Sequence, residues 1–280
     1  MHASALKLFS VLWTLATMPL MAQTSYKEIE VNNGGSITGT VRVTAGTKNI
    51  AALAVHKDDK ICGRQKPSPR LRIGKNNTVA NAIIFIEGIK EGKTLKKDGK
   101  YLLNQVGCEY VPHVTVMPFG AMLEIVNSDP VLHNVHAYEE HELGKTVFNI
   151  AQPIKGQRTP IKHTTFKKPG LYLATCDAGH PWMSAFVMVA DHPYYAVTDK
   201  YGRFSLDHVP SGTYTITMWH EGVNIAQTLD DGGKPKAYIF EQPYDLTQQI
   251  TVEPGGKSIL NFEFSVRNPE STSLSSGKQN

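Results

Sequence analysis

The sequence predicts an all-β fold. Short runs of alternating apolar and polar residues recur between turn signals, with the period of a half-buried strand. The chain has 23 glycines and 16 prolines, which are scattered along its length, and no stretch shows the long periodicity of an amphipathic helix. Many short strands without intervening helices are typical of β-sandwiches or barrels.

The alternation predicts the strands one by one. Residues 81–86, NAIIFI, form a continuous apolar run of the kind found in a strand buried on both faces. Tyr214, Ile216 and Met218 alternate with threonines, as in a strand with one buried face. In chain order, the predicted strands lie near residues 37–43, 81–86, 114–116, 122–126, 171–176, 185–189, 204–209, 214–218, 249–252 and 258–264.

Composition restricts the class of protein. The chain of 280 residues is 41% hydrophobic and 19% charged, which is enough apolar material for one large or two modest domains. The net charge is +4 and no basic run occurs, so nucleic acid is not expected as a partner. The composition also excludes collagen, a coiled coil and a polytopic membrane protein.

The first 22 residues are typical of a secretory signal. Lys7 precedes an apolar run over residues 8–20, and Ala22 is a suitable cleavage residue before Gln23. The run is too short for a membrane span, so we expect a protein exported to the periplasm or secreted. Residues 267–280 are polar and rich in serine, and we expect them to be disordered.

The clearest functional signal is a cluster of soft ligands. Residues 170–189 read GLYLATCDAGHPWMSAFVMV, and one loop holds Cys176, His180 and Met183 at the spacing C-x3-H-x2-M. His133 follows a predicted strand upstream. A thiolate, two imidazoles and a weak thioether form the ligand set of a mononuclear blue-copper site. We therefore expect one copper ion; zinc is an alternative for the thiolate and imidazoles.

Two patterns make this region resemble the cupredoxins, especially plastocyanin-like domains. An N-x5-H-N-V pattern runs from Asn127 to Val135, and a P-G-x-Y-x-x-x-C pattern runs from Pro169 to Cys176. The resemblance covers residues 79–190, with residues 81–86 as the first strand, and implies a Greek-key β-sandwich. It implies His133, Cys176, His180 and Met183 as the copper ligands.

The ligand loop departs from plastocyanins, which usually have two residues between Cys and His and four between His and Met. The spacing here is closer to that of the binuclear copper domains. Such a site needs a second cysteine four residues before Cys176, where this chain has Tyr172. A single copper is therefore expected. The resemblance also implies Tyr172 and Trp182 as shields of the metal, and a surface-exposed His180 that passes electrons through a patch of Pro181 and Trp182.

Other histidines compete for a role. His136 lies three residues after His133, so on a regular strand the two face opposite sides. His136 is a candidate for a secondary metal ligand or for a residue that supports a ligand from behind. His113 is a second such candidate, although we favour a structural role for it. Of the 11 histidines, 7 lie between His113 and His192, which is consistent with additional weak copper sites.

The remaining cysteines follow from the copper assignment. If Cys176 binds metal, Cys62 and Cys108 are the candidates for a disulfide, which an oxidising compartment favours over two free thiols. The crosslink would tie the N-terminal segment to the copper domain and contribute about 3–4 kcal/mol.

Residues 192–222 resemble carboxypeptidase regulatory-like domains, which are smaller transthyretin-type β-sandwiches. The match is T-D-x-x-G-x-F-x-L-x-x-V-P-x-G-x-Y, from Thr198 to Tyr214. It implies a binding or spacer module without catalytic residues. The predicted organisation is a signal at 1–22, an N-terminal β segment at 23–78, the copper domain at 79–190, the second sandwich at 191–266 and the tail. Residues 35–41 also resemble the opening strand of the second sandwich, so the copper domain is alternatively an insertion within it.

These features predict an exported one-electron carrier that works with an unknown redox partner protein. Copper delivery, storage or resistance without electron transfer is one alternative, and a metal-free binding module is another. An enzyme is not expected, because copper oxidases and reductases usually need a second copper centre near the first. No hydrolase motif is visible either.

Overall fold

The computed structural model describes residues 26–45, 50 and 52–267. The predicted signal segment, and all but the first residue of the predicted tail, lie outside the described residues. The first eight strands, in chain order, are β1 Lys27–Glu28, β2 Gly35–Ala45, β3 Leu53–Ala54, β4 Gln65–Lys66, β5 Arg72–Ile73, β6 Val79–Ala80, β7 Ile83–Ile86 and β8 Glu91–Gly92. A short helix α1, Asp59–Cys62, and a 3-10 turn, Lys75–Asn77, lie among them.

The rest of the described chain is strands and loops, which confirms the all-β prediction. These strands are β9 Tyr101–Val106, β10 Glu109–Val111, β11 Val114–Pro118, β12 Leu123–Asn127, β13 His133–Glu139, β14 Thr146–Gln152, β15 Arg158–Ile161, β16 Gly170–Thr175, β17 Ser184–Ala190, β18 Tyr195–Val197, β19 Arg203–Val209, β20 Gly212–His220, β21 Ile225–Asp231, β22 Lys234–Phe240, β23 Tyr244–Val252, β24 Lys257–Ile259 and β25 Phe262–Ser265.

Strands β9 to β17 form one sandwich, which we call the inserted sandwich. One sheet has the order β10-β9-β12-β15 and the other β11-β17-β16-β13-β14. Two pairings are parallel, β9 with β12 and β11 with β17, so the chain crosses between the sheets and is not a simple meander. The core between the sheets includes Leu103, Leu123, Ile125 and Val135, each at most 1% exposed.

A second sandwich is assembled from both sides of the inserted one, and we call it the split sandwich. Its sheets have the orders β18-β7-β20-β23 and β19-β2-β24, with β25 also paired to β2. β2 and β7 therefore come before the inserted sandwich in the chain, and the other strands come after it. The alternation predicted for residues 37–43 is confirmed, because Ile37, Val41 and Val43 are buried in this core.

Residues 81–86 were expected to begin the copper-domain sandwich, and this prediction is wrong. Ile83–Ile86 pairs with β18 and β20 in the split sandwich. The run is uniformly apolar because it is buried from two directions. Ile84 and Ile86 face the core of the split sandwich, whereas Ile83 packs against Phe186 and Trp219 between the two sandwiches. The sequence pattern predicted a strand buried on both faces, but it did not predict to which sandwich the strand belongs.

Gly39 is needed where β2 passes closest to its neighbour. A Cβ atom at this position would lie 1.6 Å from the carbonyl oxygen of Leu260, and backbone cannot move aside as a flexible side chain can. We expect Gly39→Ala to lower the free energy of unfolding by about 1–3 kcal/mol, measured by urea denaturation. Gly144→Ala, at an exposed glycine with no atom nearer than 4.0 Å, is the control. Equal stability of the two variants would contradict the close approach.

A disulfide joins the N-terminal part of the chain to the inserted sandwich. Cys62 and Cys108, the predicted pair, are bonded and separated by 46 residues. In the chain-entropy model a loop of this length contributes about 4 kcal/mol. In the part of the chain that the structure describes, none of the helices has the length and apolar character needed to cross a membrane.

Candidate metal centre

The centre is built at one end of the inserted sandwich, where two strands of the same sheet meet a loop. Cys176 directly follows β16, and the loop leads through His180 and Met183 into β17. His133 is the first residue of β13, which pairs with β16. The loop is short and closed by a hydrogen bond from the Met183 N–H to the His180 carbonyl at 2.9 Å, so the predicted ligands are held on a tight turn.

Three of the four predicted ligands converge. The Nδ1 atoms of His133 and His180 are 3.0 Å apart, and the Sγ atom of Cys176 is 3.6 Å from His180 Nδ1. Ligand atoms of all three lie within 4.8 Å of one another. The residues are at most 2% exposed, and Met183, at 1%, belongs to the same buried cluster as Cys176.

The Nε2 atoms of both imidazoles, which face away from the cluster, hydrogen bond to carboxylates. His133 Nε2 lies 3.0 Å from Asp129, and His180 Nε2 lies 2.9 Å from Asp58. A carboxylate only accepts hydrogen bonds, so each Nε2 carries the proton and each Nδ1 presents a lone pair. This arrangement of carboxylate, histidine and ligand atom is the common one around protein-bound metals.

The donor set fits a metal ion. Burial lowers the pKa of both His133 and His180, although Asp129 and Asp58 oppose this effect, so the neutral imidazoles are favoured. Two neutral imidazoles then direct lone pairs at each other across 3.0 Å, an unfavourable arrangement that a cation between them and the Cys176 thiolate would relieve. Burial also raises the pKa of the Cys176 thiol to about 11, so binding a metal releases its proton.

Asparagines explain the N-x5-H-N pattern. The Asn134 side-chain oxygen accepts hydrogen bonds from the backbone N–H groups of Asp177 and Ala178, at 2.5 and 3.2 Å. The backbone nitrogen of Asn134 lies 3.5 Å from Cys176 Sγ. Asn127 donates to the carbonyls of Val131 and Gln152 at 2.9 and 2.8 Å. The two asparagines therefore fix the cysteine loop and the approach to His133.

The remaining histidine candidates are not members of this cluster. His136 Nδ1 lies 2.5 Å from Asp177 and its Nε2 lies 2.8 Å from Thr146, so both nitrogens are engaged on the other side of β13. His113 meets the Ser184 carbonyl at 2.9 Å and hydrogen bonds to Glu221, between the two sandwiches.

The surface exit expected at His180 is wrong. His180 is 0% exposed and Trp182 is 2% exposed, and the Trp182 indole donates to the Cys108 carbonyl at 3.1 Å. The reason is a chain segment whose position over the loop no sequence motif predicted. Residues 52–66, which we call the cap, lie over the ligand loop and bring Asp58 to His180.

A cavity of about 410 Å³ opens on another side of the centre. Its walls come from both sandwiches, because the hairpin of β21 and β22 extends from the split sandwich toward Cys176 and Pro181. Tyr238 and Phe240 of this hairpin supply aromatic surface. The cavity therefore borders Cys176, which is itself only 2% exposed, whereas the cap covers the His180 side.

Comparison with known proteins gives structural likeness only. No family model and no curated protein matches the chain. Among solved structures, a purple cupredoxin from Nitrosopumilus maritimus is 24% identical, with a TM-score of 0.28, over 32% of this chain and 100% of its own. Amicyanin from Paracoccus versutus is 20% identical, with a TM-score of 0.28, over 38% of this chain and 97% of its own.

A copper-containing nitrite reductase from Thermus scotoductus is 26% identical, with a TM-score of 0.27. The likeness covers 36% of this chain but only 24% of the reductase. The matches therefore extend over about a third of this chain, and the assignment of the centre depends on its own geometry.

Proposed function

We propose that this protein would bind one copper ion at His133, Cys176 and His180, with the Met183 thioether as a further weak donor, and would carry single electrons. The convergence of two imidazole Nδ1 atoms and one thiol, all buried, carries the proposal. Copper in such a set of soft and borderline ligands exchanges between Cu(I) and Cu(II). The protein's part is to hold the imidazoles and the Cys176 thiol, which loses its proton to the metal, and to keep bulk water away.

Burial favours a carrier over a delivery protein. All three converging ligands are at most 2% exposed, and the cap covers one of them. A protein that hands its metal to another chain needs a route by which the partner's ligands reach the ion, whereas an electron needs only proximity. We propose an electron carrier rather than an oxidase or reductase, exported by the N-terminal segment to the periplasm or beyond. Its partner is a redox protein.

The test is a titration of the purified protein with Cu(II). We expect an intense thiolate-to-copper band in the visible spectrum that saturates at one equivalent, the matching EPR signal, and one reversible redox wave. Zinc added first should compete for the same site. Tight binding of more than one copper without a redox wave would favour storage or resistance. A folded protein that shows no thiolate band would contradict the copper site.

The identity of the split sandwich is a separate proposal. The motif from Thr198 to Tyr214 lies on β19 and β20 and the turns around them, and its apolar positions are buried in the core of the sandwich. We propose a regulatory-like module that acts as a spacer and holds the inserted sandwich.

A further inference from the structure

The cap is attached to the inserted sandwich although its sequence neighbours belong to the split sandwich. It is a hairpin, with β3 paired to β4 and α1 between them. Leu53 and Cys62 are buried in the core of the inserted sandwich. The Lys57 ammonium donates to the Ala178 carbonyl at 2.7 Å, so the cap is also tied to the ligand loop itself.

Asp58 lies at the end of this attachment that faces the centre. Its side chain lies 2.9 Å from His180 Nε2, and its carbonyl accepts the backbone N–H of Cys62 at 2.8 Å. One helical turn therefore separates Asp58 from the disulfide to Cys108. The crosslink fixes the turn, and the turn fixes the carboxylate against the imidazole.

The two carboxylates at the centre differ in what else they bind. Asp129 also accepts the backbone N–H groups of Gly107 and Cys108, each at 2.7 Å, so its negative charge is shared among three donors. The side chain of Asp58 is 29% exposed, and its carboxylate accepts a hydrogen bond from His180 Nε2. The charge of Asp58 therefore acts mainly through His180.

We propose that Asp58 is a positioning residue of the metal centre, supplied by the cap. It holds His180 in the tautomer and orientation that direct Nδ1 at Cys176 and His133. The charge of Asp58 also makes His180 Nδ1 a stronger electron-pair donor to the metal, which stabilises Cu(II) more than Cu(I). This inference rests on the proposed copper site and extends it to a segment outside the inserted sandwich.

The experiment compares Asp58→Asn with Asp59→Asn in the full chain. Asp59 is the next residue on the same cap and is exposed, so its variant removes the same charge without touching His180. We expect Asp58→Asn to weaken Cu(II) binding by about 10- to 100-fold. If Cu(I) binding is unchanged, each tenfold loss raises the reduction potential by about 59 mV. Asp59→Asn should match the wild type in both measurements.

A measurement on the metal-free protein separates this inference from the copper site. We expect diethyl pyrocarbonate to modify His180 severalfold faster in Asp58→Ala than in the wild type or Asp59→Asn, with the modified residue identified by mass spectrometry. Circular dichroism and an intact Cys62–Cys108 bond would show that the variants fold.

The outcomes are distinct. Unchanged copper affinity, potential and modification rate in the Asp58 variants, with a thiolate band in the wild type, would overturn the inference and leave the copper site standing. A wild type that takes up no copper would overturn the proposed function. In that case equal modification rates would show that Asp58 does not hold His180, and a faster rate in Asp58→Ala would show that it does.

Discussion

Replacing Cys176 by serine is expected to abolish the visible thiolate-to-copper band and to weaken copper binding by more than about 100-fold. Mutating a residue that only hydrogen bonds to a metal ligand lowers metal affinity by about 10- to 100-fold. The loss here should be larger, because the thiolate is the anionic ligand of the set and a serine hydroxyl remains neutral. Cys176 is the free cysteine of the chain, so the substitution leaves the disulfide intact. Absorption and EPR spectra after one equivalent of Cu(II) give the result.

The histidines of β13 provide the matched comparison. His133→Ala should also lose the band, since its Nδ1 atom lies 3.0 Å from that of His180. His136→Ala, three residues along the same strand, removes a second imidazole from the same neighbourhood and should keep the band. A band that survives in His133→Ala but not in His136→Ala would mean that the centre uses the opposite face of β13.

The second large effect is expected at Glu221, between the two sandwiches. Glu221 and Arg70 are 3% and 5% exposed and form an ion pair at 3.1 Å, and His113 hydrogen bonds to the same carboxylate. Glu221→Gln keeps the size but leaves the Arg70 charge buried without its partner. Removing one member of a buried pair costs about 3–5 kcal/mol, which urea or guanidinium denaturation would measure as a loss of stability.

Two further variants keep this prediction falsifiable. Replacing both members, Arg70→Met with Glu221→Leu, should recover much of the loss, because neither charge is then left buried alone. Glu124→Gln, at the exposed pair with Arg158, should change stability little. If Glu221→Gln were as stable as Glu124→Gln, the buried pair would contribute nothing to the fold.

The pH dependence of this pair has a defined sign. Burial alone would raise the pKa of Glu221, but His113 and Arg70 outweigh it and the pKa is lowered from 4.5. A lowered folded-state pKa means that the contribution to stability is fully present above the ordinary value. It is lost as the pH falls through the lowered one.

Sequence reasoning found what depends on local pattern. The loop between β16 and β17 was predicted as a ligand loop because a strand, a turn and residues with soft donor atoms lie close together in the sequence, and His133 was predicted from its own short motif. Asp129 had a usable signal, since it lies four residues before His133 in the loop that leads to it. Asp58 had none, because 122 residues separate it from His180 and only tertiary packing brings them together.

The same distinction explains the errors in the fold. Ile83–Ile86 reads as a buried strand in either sandwich, because periodicity reports burial and not the partner strand. The hairpin of β21 and β22 was not predicted, since β21 is exposed along its length and has no apolar alternation. His180 was expected at the surface because the family resemblance concerned only the loop. It contained no information about the cap that covers this loop.

The two sandwiches are joined in a way that bears on how such a chain could arise and diversify. The Ile86 N–H donates to the Tyr194 carbonyl at 3.2 Å, so the chain leaves and re-enters the split sandwich at adjacent points. The inserted sandwich is thus a long loop of its host. The entropic cost of closing a loop rises only slowly with loop length. Recombination at these two points would exchange the inserted sandwich, with its candidate metal centre, as one unit. The transfer would be incomplete, however, because Asp58 and Cys62 stay with the donor. A recipient would inherit His133, Cys176 and His180 without the carboxylate that lies 2.9 Å from His180 Nε2 or the cysteine that bonds Cys108.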